Sequence, residues 1–323
     1  MLSYKLITCY ILVLFTHFSQ AALKPMTDDQ MSNSTGQAFL QLDRSAANGL
    51  DFTKVTLGLD VETSLNADLV ELGNYERNGS AGADVRIRDL ALGEVNADGS
   101  ITPFKIKDPF IELAFDKSGG SQKVVGVRIG FGEALGKLSG DIKSLTGNIE
   151  VNVVGTARPI YDRANFFQRS ALFFAGVSRD TRLRADAVLV DSAGNPTNVR
   201  AQQVGVPNGS TLQCESGCNL GGLSDFLLGL FGSNNCGVLG LPTCFSLGDF
   251  RSLDIGSGNT PARGMFLSFQ SQPVTWRDGN SNTQTVSGAF VNIPNGGITV
   301  DFEQSFGGIP RVRTKMLDPY YDN

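Results

Sequence analysis

The residues with the clearest chemistry in this sequence are four cysteines that fall within 31 residues: Cys214, Cys218, Cys236 and Cys244. An even, clustered set of cysteines in an exported chain is typical of disulfides, and four cysteines allow three pairings. Four thiolates also suit a structural zinc ion, but three and seven intervening residues are poor spacings for a zinc ribbon. We therefore expect two disulfides, and the sequence leaves their pairing open.

Imidazole chemistry depends on one residue, because the chain contains a single histidine, His17. It lies in an N-terminal segment with Lys5, an apolar run over residues 6–18 and small residues before Ala22, the pattern of a cleaved Sec-type signal. We expect residues 1–21 to be removed on export to the periplasm, the outer membrane or the cell surface. Serine and cysteine hydrolases and histidine-ligated metal sites would then lack their imidazole. The sequence predicts a protein that is not an enzyme and has no metal or cofactor.

Carboxylates are the catalytic groups that remain, because a glycoside hydrolase needs only two of them a few ångströms apart. The candidates are Asp108, Glu112, Asp116, Glu150 and Asp301. Oxygen ligands for calcium also occur in two short segments, Asp191 with Asn195, and Asp278 with Asn280 and Asn282. Neither segment fits an EF-hand loop, and both are typical of turns. A glycan-active or glycan-binding protein stays an alternative.

The elements that must position these residues are strands, because apolar residues alternate with a period of two. The alternating residues are Val85, Ile87, Leu90, Leu92, Ile111, Leu113, Phe115, Val125, Val127, Ile129 and Phe131. Turn pairs such as Asn78-Gly79 and Asp98-Gly99 separate these runs, as in antiparallel strands with one buried face. We predict an all-β fold of antiparallel, Gly-rich sheets, arranged as a sandwich or a solenoid, with one or two short helices. Trp276, the only tryptophan, is expected to pack in the core.

Residues 158–184 carry six arginines and two acids, interleaved with aromatic residues that include Phe166, Phe167, Phe173 and Phe174. Such a segment suits an anion or a nucleic acid, but it also suits the solvated face of a strand, which is the interpretation we favour. The net charge of −5 disfavours nonspecific binding to nucleic acid. No segment outside the leader approaches the about 20 apolar residues of a membrane-spanning helix. We expect neither a nucleic-acid partner nor an integral membrane span.

The most unusual segment lies between the second and third clustered cysteines. Its apolar residues include positions at helical spacing, and Asp225 is its only charged residue. Two interpretations are open: an exposed docking surface for a partner protein or lipid, or a short helix packed into the core. The candidate partner-binding residues are Leu220, Leu223, Phe226, Leu227, Leu228, Leu230 and Phe231.

The block after the leader contains Leu23, Pro25, Met26, Asp29 and Met31, followed by Thr35-Gly36-Gln37. This start resembles that of a group of gammaproteobacterial envelope proteins that includes a component of a Fil-type pilus system. Gly-rich strands such as residues 127–132 add to the resemblance. It implies a β-rich exported protein linked to fimbriae or surface attachment, and it supplies no catalytic residues.

Three regions follow from these patterns: a signal peptide at 1–21, an N-terminal β domain at 22–157 and a C-terminal β region at 158–323. The last region contains the disulfide-framed apolar loop 214–244. We expect a non-enzymatic envelope protein that acts in surface or pilus assembly, or in adhesion, through contacts with envelope or pilus-system proteins. The alternatives are the glycan-active or glycan-binding protein and a periplasmic carrier of a lipid or other hydrophobic ligand.

Overall fold

The computed structural model describes residues 39–238, 240–278 and 281–315, all of which belong to one compact unit. The expected signal peptide, residues 1–21, and the block from Leu23 to Gln37 that carries the resemblance lie outside the described residues. So does Asn280 of the second calcium candidate. The predictions made for these residues stay predictions.

The described part of the chain consists mainly of β-strands, and the all-β prediction is confirmed. In chain order the strands are β1 Leu40–Ala47, β2 Leu50–Leu57, β3 Asp60–Thr63, β4 Leu65–Arg77, β5 Ser80–Leu92, β6 Glu94–Val95, β7 Ile101–Thr102, β8 Phe104–Asp116, β9 Lys123–Leu145, β10 Gly147–Thr156, β11 Arg182–Val190, β12 Gln203–Gly205, β13 Gln213–Ser216, β14 Gly237–Val238, β15 Leu241–Pro242, β16 Cys244–Ser246, β17 Ser252–Ile255, β18 Phe266–Gln270, β19 Val274–Asp278, β20 Ser281–Thr285 and β21 Gly288–Val300.

Four short α-helices and one 3₁₀ turn accompany the strands among the described residues, where the sequence predicted one or two helices. They are α1 Arg158–Arg163, α2 Phe166–Phe174, the 3₁₀ turn Leu247–Asp249, α3 Gly222–Gly229 and α4 Phe302–Gly307. Helices α2 and α4 each begin with a capping box, in which Asn165 pairs with Gln168 and Asp301 pairs with Gln304. These caps satisfy main-chain N–H groups that a short helix would otherwise leave without partners.

Fifteen of the described strands form one sheet. Its main path runs β1-β2-β8-β9-β17-β21-β10-β11-β12-β16, and β18 lies between β9 and β21. Neighbouring strands are antiparallel except β10 and β21, which are parallel. Strand β10 precedes the predicted domain boundary at residues 157 and 158, yet its two neighbours, β11 and β21, follow it. Strands from both sides of that boundary therefore share one sheet.

The sheet carries one apolar cluster on each of its faces, because the consecutive β21 residues Ala289 and Phe290 belong to different clusters. The larger cluster lies between strands β5, β9, β10, β11 and β21 and the helices. The smaller cluster lies under the hairpin β19–β20, where Trp276 is fully buried and its ring meets Phe52 edge-on. Glycines in β9 make room for this packing, because a Cβ at Gly126 would meet the Trp276 ring and one at Gly130 would overlap Phe110. The expectation that Trp276 packs in the core is confirmed.

The alternating residues of β8 and β9 do lie in paired antiparallel strands, but their apolar face is not the buried one. Ile111 is 52% exposed and Ile129 is 40% exposed. The adjacent residues are buried beneath the β19–β20 hairpin instead: Glu112, which follows Ile111, and Arg128, which precedes Ile129. Alternation identifies two faces of a strand, and the tertiary packing of this hairpin decided which face was covered.

Arg128 has no solvent-exposed surface, and two carboxylates hold it. Its Nε donates to Glu112 Oε2 at 2.9 Å, and its Nη1 donates to Asp278 Oδ2 at 2.6 Å. The guanidinium also lies about 5 Å from the ring centres of Phe110, Phe266 and Trp276. Burial raises the pKa of Glu112, although the Arg128 charge acts in the opposite direction. The arrangement joins β8, β9 and the β19–β20 hairpin through one side chain.

We expect Arg128→Leu to lower the free energy of unfolding by about 3–5 kcal/mol, because it leaves the Glu112 carboxylate buried without its cation. Urea denaturation followed by circular dichroism measures this. Arg128→Lys is the control, since it keeps the charge and loses only the forked geometry, and it should cost less. Equal stability of the wild type and Arg128→Leu would contradict the role given to this ion pair.

Candidate functional site

Helix α2 has an inverted distribution of apolar side chains. Gln168 and Leu172 are buried on its inner side. On the outer side, Phe166, Phe167, Phe173 and Phe174 are 87%, 72%, 72% and 74% exposed. At 100° per residue, positions i, i+1, i+7 and i+8 fall on one face, opposite to Gln168 and Leu172. The four exposed rings therefore form one stripe, named here the phenylalanine stripe.

Helix α3 carries a second exposed apolar stripe. Leu223, Phe226 and Leu230 are 54%, 66% and 64% exposed, and their spacing of three and four residues places them on one side. Leu220, just before the helix, is also exposed. Leu228 is buried with the larger apolar cluster, Leu227 is partly buried against it, and Phe231 is partly buried. The seven candidate residues therefore divide between the two interpretations of the sequence, because α3 packs one side into the core and exposes the other.

The end of α2 and the start of α3 touch each other. The main-chain N–H of Asn219 donates to the Gly176 oxygen at 2.9 Å. A Cβ at Gly176 would lie 2.8 Å from Leu220 Cγ and 2.9 Å from Ser224 Oγ, so the close approach needs glycine there. The phenylalanine stripe and the α3 stripe thus belong to two elements in direct contact.

Two disulfides are present, as expected, and both are local. Cys214 bonds to Cys218, and Cys236 bonds to Cys244. Helix α3 therefore lies between two small closed loops and is not enclosed in one large loop. The first loop is fixed to β11 by the pairing of Leu183 with Cys214, and the Cys214 N–H donates to Asp225 Oδ1 at 2.6 Å. Disulfides are typical of an oxidising compartment such as that of exported proteins.

A cavity of about 150 Å³ lies beneath α2, α4 and the loop closed by Cys236 and Cys244. Strands β9, β10, β11, β12 and β21 supply its floor, with side chains such as Ile142 and Val151. Leu172 of α2 lines it from above, together with Phe302 and Phe306 of α4. The loop closed by Cys236 and Cys244 contributes Val238, Leu241 and Pro242 to the wall.

The polar side chains that line this cavity form hydrogen bonds with other groups of the protein. Gln168 Oε1 accepts a hydrogen bond from the Asn165 N–H at 2.6 Å. The Ser305 hydroxyl donates to the Asp301 oxygen at 2.8 Å, and the Thr243 hydroxyl pairs with that of Ser233 at 3.0 Å. The lining that remains is aliphatic and aromatic, so the cavity favours an apolar occupant.

The carboxylates that the sequence offered for catalysis have structural partners. Glu112 binds Arg128, Asp116 accepts from the Ser118 N–H, and Asp301 caps α4. Glu150 accepts from the side-chain amide of Asn148 at 3.3 Å, and Asp108 lies in a left-handed conformation within β8. The first three carboxylates are therefore engaged by the fold itself.

The two calcium candidates also have partners within the chain. Hydrogen bonds from Asn195 lower the pKa of Asp191, as in a tight turn. Asp278 binds Arg128, and Lys54 lies 3.8 Å from its other oxygen. Within the described ranges, no group of three or more His, Cys, Asp or Glu residues gathers as a metal site would require.

The arginine-rich segment forms exposed ion pairs. These pairs are Arg158 with Asp180, Arg163 with Glu303, Arg179 with Asp162, and Arg182 with Glu215. Two of the partner acids, Glu215 and Glu303, come from outside the segment, which lowers its local charge. Arg182 and Arg184 lie on the exposed side of β11, as the solvated-face interpretation expects. Residues 158–163 and 166–174 form α1 and α2, so the interpretation as a strand was wrong there. The phenylalanines between the arginines are the part of the segment that sequence reasoning missed, and their spacing opposite Gln168 and Leu172 was the available signal.

No family model, curated protein or solved structure matches the chain. Among the described residues, no helix has the length and apolar composition needed to cross a bilayer. The candidate functional features among the described residues are therefore the cavity, the phenylalanine stripe above it and the α3 stripe.

We expect Leu228→Asp to lower the free energy of unfolding by about 3 kcal/mol or more, because it places a carboxylate in the apolar cluster. Phe226→Asp, two positions earlier on the exposed side, should cost about 1 kcal/mol or less. Chemical denaturation of both variants measures the difference. Similar losses in the two variants would contradict the orientation of α3.

Proposed function

We propose that the protein is a non-enzymatic carrier of an apolar ligand, and that the cavity binds an acyl chain or another hydrophobic tail. One observation carries this proposal: helix α2 lines the cavity with Leu172 on one side and exposes four phenylalanines on the other. Such a helix can contact an apolar surface and the bound ligand at the same time. Among the classes that the sequence leaves open, the hydrophobic-ligand carrier fits this geometry best.

The size and chemistry of the cavity support an apolar ligand of limited bulk. Apolar cavities of about 150 Å³ stay dry and take molecules such as benzene. Water is disfavoured here because it needs two to four polar partners, and the polar groups at the wall already have theirs. Each methylene group that leaves water for the cavity contributes about 0.8 kcal/mol. A segment of a single acyl chain would therefore bind through its hydrocarbon alone.

The route to the cavity is closest to solvent at the loop between Cys236 and Cys244. Pro242 of this loop lines the cavity and is exposed, and Leu241 beside it is partly exposed. The disulfide keeps this loop short and ordered against β12, which pairs with β16. A polar headgroup could stay in water here while its tail enters.

The two stripes suit the surface of a lipid bilayer, from which such a ligand would come. Phenylalanine and leucine side chains on one side of a helix are typical of elements that lie in the membrane interface. Most arginines around them are paired with acids, so we expect apolar contact to contribute more than attraction to anionic lipid.

We expect the purified full chain to bind cis-parinaric acid, a fluorescent acyl chain, in a saturable manner. Ala187→Leu fills part of the cavity and should weaken binding at least tenfold, about 1.4 kcal/mol. Ala185→Leu is the matched control, because Ala185 is buried on the same strand but does not line the cavity. Circular dichroism checks that both variants fold. Absence of binding by the wild type, or equal effects of the two substitutions, would overturn the proposal.

Phe167→Ser combined with Phe174→Ser should reduce co-flotation with vesicles of phosphatidylethanolamine and phosphatidylglycerol more than tenfold. The reason is that each phenylalanine buried in an apolar environment contributes about 1.5–3 kcal/mol. Leu69→Ser, at an exposed leucine of β4, is the control and should float like the wild type. A double variant that floats like the wild type would rule out the phenylalanine stripe as the contact.

A second candidate function is contact with an envelope or pilus-system protein in surface assembly or adhesion. The exposed side of α3, with Leu223, Phe226 and Leu230, favours it, because a large exposed apolar patch commonly marks an interaction site. The resemblance of the N-terminal block to pilus-system proteins points the same way. In both cases we propose an exported protein of the periplasm, the outer membrane or the cell surface. Wild-type protein that binds no vesicles would favour this second use of the stripes.

A further inference from the structure

The face of the sheet that the β19–β20 hairpin leaves uncovered at β1, β2, β8, β9 and β18 is apolar across all five strands. Leu42 pairs with Val55, Val55 with Ile111, Ile111 with Ile129, and Ile129 with Leu267. Residues directly opposite each other in a sheet share a face, so these five side chains form one continuous row. We name this surface the outer apolar face.

Neighbouring rows extend the outer apolar face along the strands. Leu113, Val127 and Phe269 form the next row on one side, and Leu40 pairs with Leu57 on the other. The first of these rows continues across β2 and β1 with Thr53 and Arg44, so it is polar at the edge of the sheet. Much of this surface remains open to solvent in the described part of the chain. The most exposed side chains, between 37% and 58%, are Leu40, Leu42, Ile111, Val124, Ile129 and Phe269.

This face continues the covered face of the same sheet, because Leu267 pairs with Val291, which packs against the larger cluster. On β11, the same face carries the buried Leu183 and Ala185, whereas the opposite face carries exposed, charged residues, namely Arg182, Arg184 and Asp186. An apolar face is expected where it is covered, and a charged face where it meets water. The outer apolar face has the composition of a covered face without the burial of one.

The margin of the outer apolar face carries charges of both signs that are paired within the chain. Lys105 lies 3.6 Å from Glu62 at one end, and Arg263 lies 2.5 Å from Glu133. Lys117 and Asp51 form a pair at the opposite end. An apolar centre with a balanced polar rim is the anatomy of a protein interface, whereas a surface for anionic lipid has a cationic excess.

The area is sufficient for a specific dimer. Five strands at a spacing of about 4.8 Å, and about 20 Å of strand length with side chains included, cover on the order of 500 Å². Two such faces would bury about 1,000 Å² in total, which reaches the lower bound for a specific interface. Sheets pack face to face about 10 Å apart, and their common twist makes one copy a good complement for another.

We propose that the protein forms a two-fold symmetric dimer in which the outer apolar faces of two copies pack against each other. A two-fold axis places the same patch on both subunits, so the apolar rows of the two copies meet each other. The interface leaves the cavity and both helical stripes to their separate function, because no residue of the central row lines the cavity or belongs to α2 or α3.

The test is the mass of the full chain in solution, measured by size-exclusion chromatography with light scattering and by sedimentation equilibrium. The wild type should be dimeric at micromolar concentration. Ile111→Glu and Ile129→Glu, each at an exposed position of the central row, should give monomers with unchanged circular dichroism. Leu69→Glu is the matched control, since Leu69 is 50% exposed on β4, outside the outer apolar face, and this variant should stay dimeric.

A monomeric wild type at tens of micromolar would overturn the proposal, as would dimers that persist in both glutamate variants. If a glutamate variant fails to fold, Ile129→Ser replaces it, because serine removes the apolar contact without adding charge. A monomeric wild type whose vesicle binding is abolished by Ile111→Glu would show that lipid covers the face, and would overturn the dimer. The acyl-chain assay is independent, because no variant of this experiment lines the cavity.

Discussion

The buried guanidinium of Arg128 is the constraint on which the arrangement of the sheet depends. A charge without exposed surface must be paired, and Glu112 from β8 and Asp278 from β19 pair it. Because Asp278 must approach Arg128 on the face of β9 where Arg128 lies, the β19–β20 hairpin has to cover that face, and Trp276 is buried with it. Glu112 of β8 and Arg128 of β9 are thereby buried, and the adjacent apolar residues Ile111 and Ile129 are exposed.

Apolar side chains are exposed while neighbouring polar side chains are buried at two places in the molecule, the sheet and helix α2. At the sheet, the aliphatic residues around Ile111 and Ile129 face outward while an ion pair lies inside. At helix α2, Gln168 is buried while four phenylalanines are exposed. Both arrangements expose apolar side chains to water, which is unfavourable. Both fit a protein that contacts another apolar surface when it functions. We interpret the sheet as a surface for a second copy and the helix as a surface for lipid, with the cavity beneath the helix.

Much of the architecture could be predicted from the sequence, because strand periodicity and turn pairs are local signals. The strands containing Val85, Ile111 and Ile129 and the existence of two disulfides followed from these signals and from the cysteine count. The burial of individual residues was harder to predict from the sequence. Leu227 and Leu228 look equivalent to Leu223 in the sequence, and only the orientation of α3 against the sheet separated the buried from the exposed residues. The phenylalanine stripe was visible as composition, but its exposure was not.

The sequence by itself determined an all-β chain, two disulfides within one cluster of cysteines and the scarcity of imidazole, because these depend on residue type and on spacing along the chain. The tertiary structure alone decided which face of β8 and β9 was covered and that an apolar cavity lies beneath α2. These outcomes depend on contacts between residues far apart in sequence. The pairing of Arg128 with Asp278, 150 residues away, is the clearest case, since no local pattern encodes a charge that is neutralised from another strand.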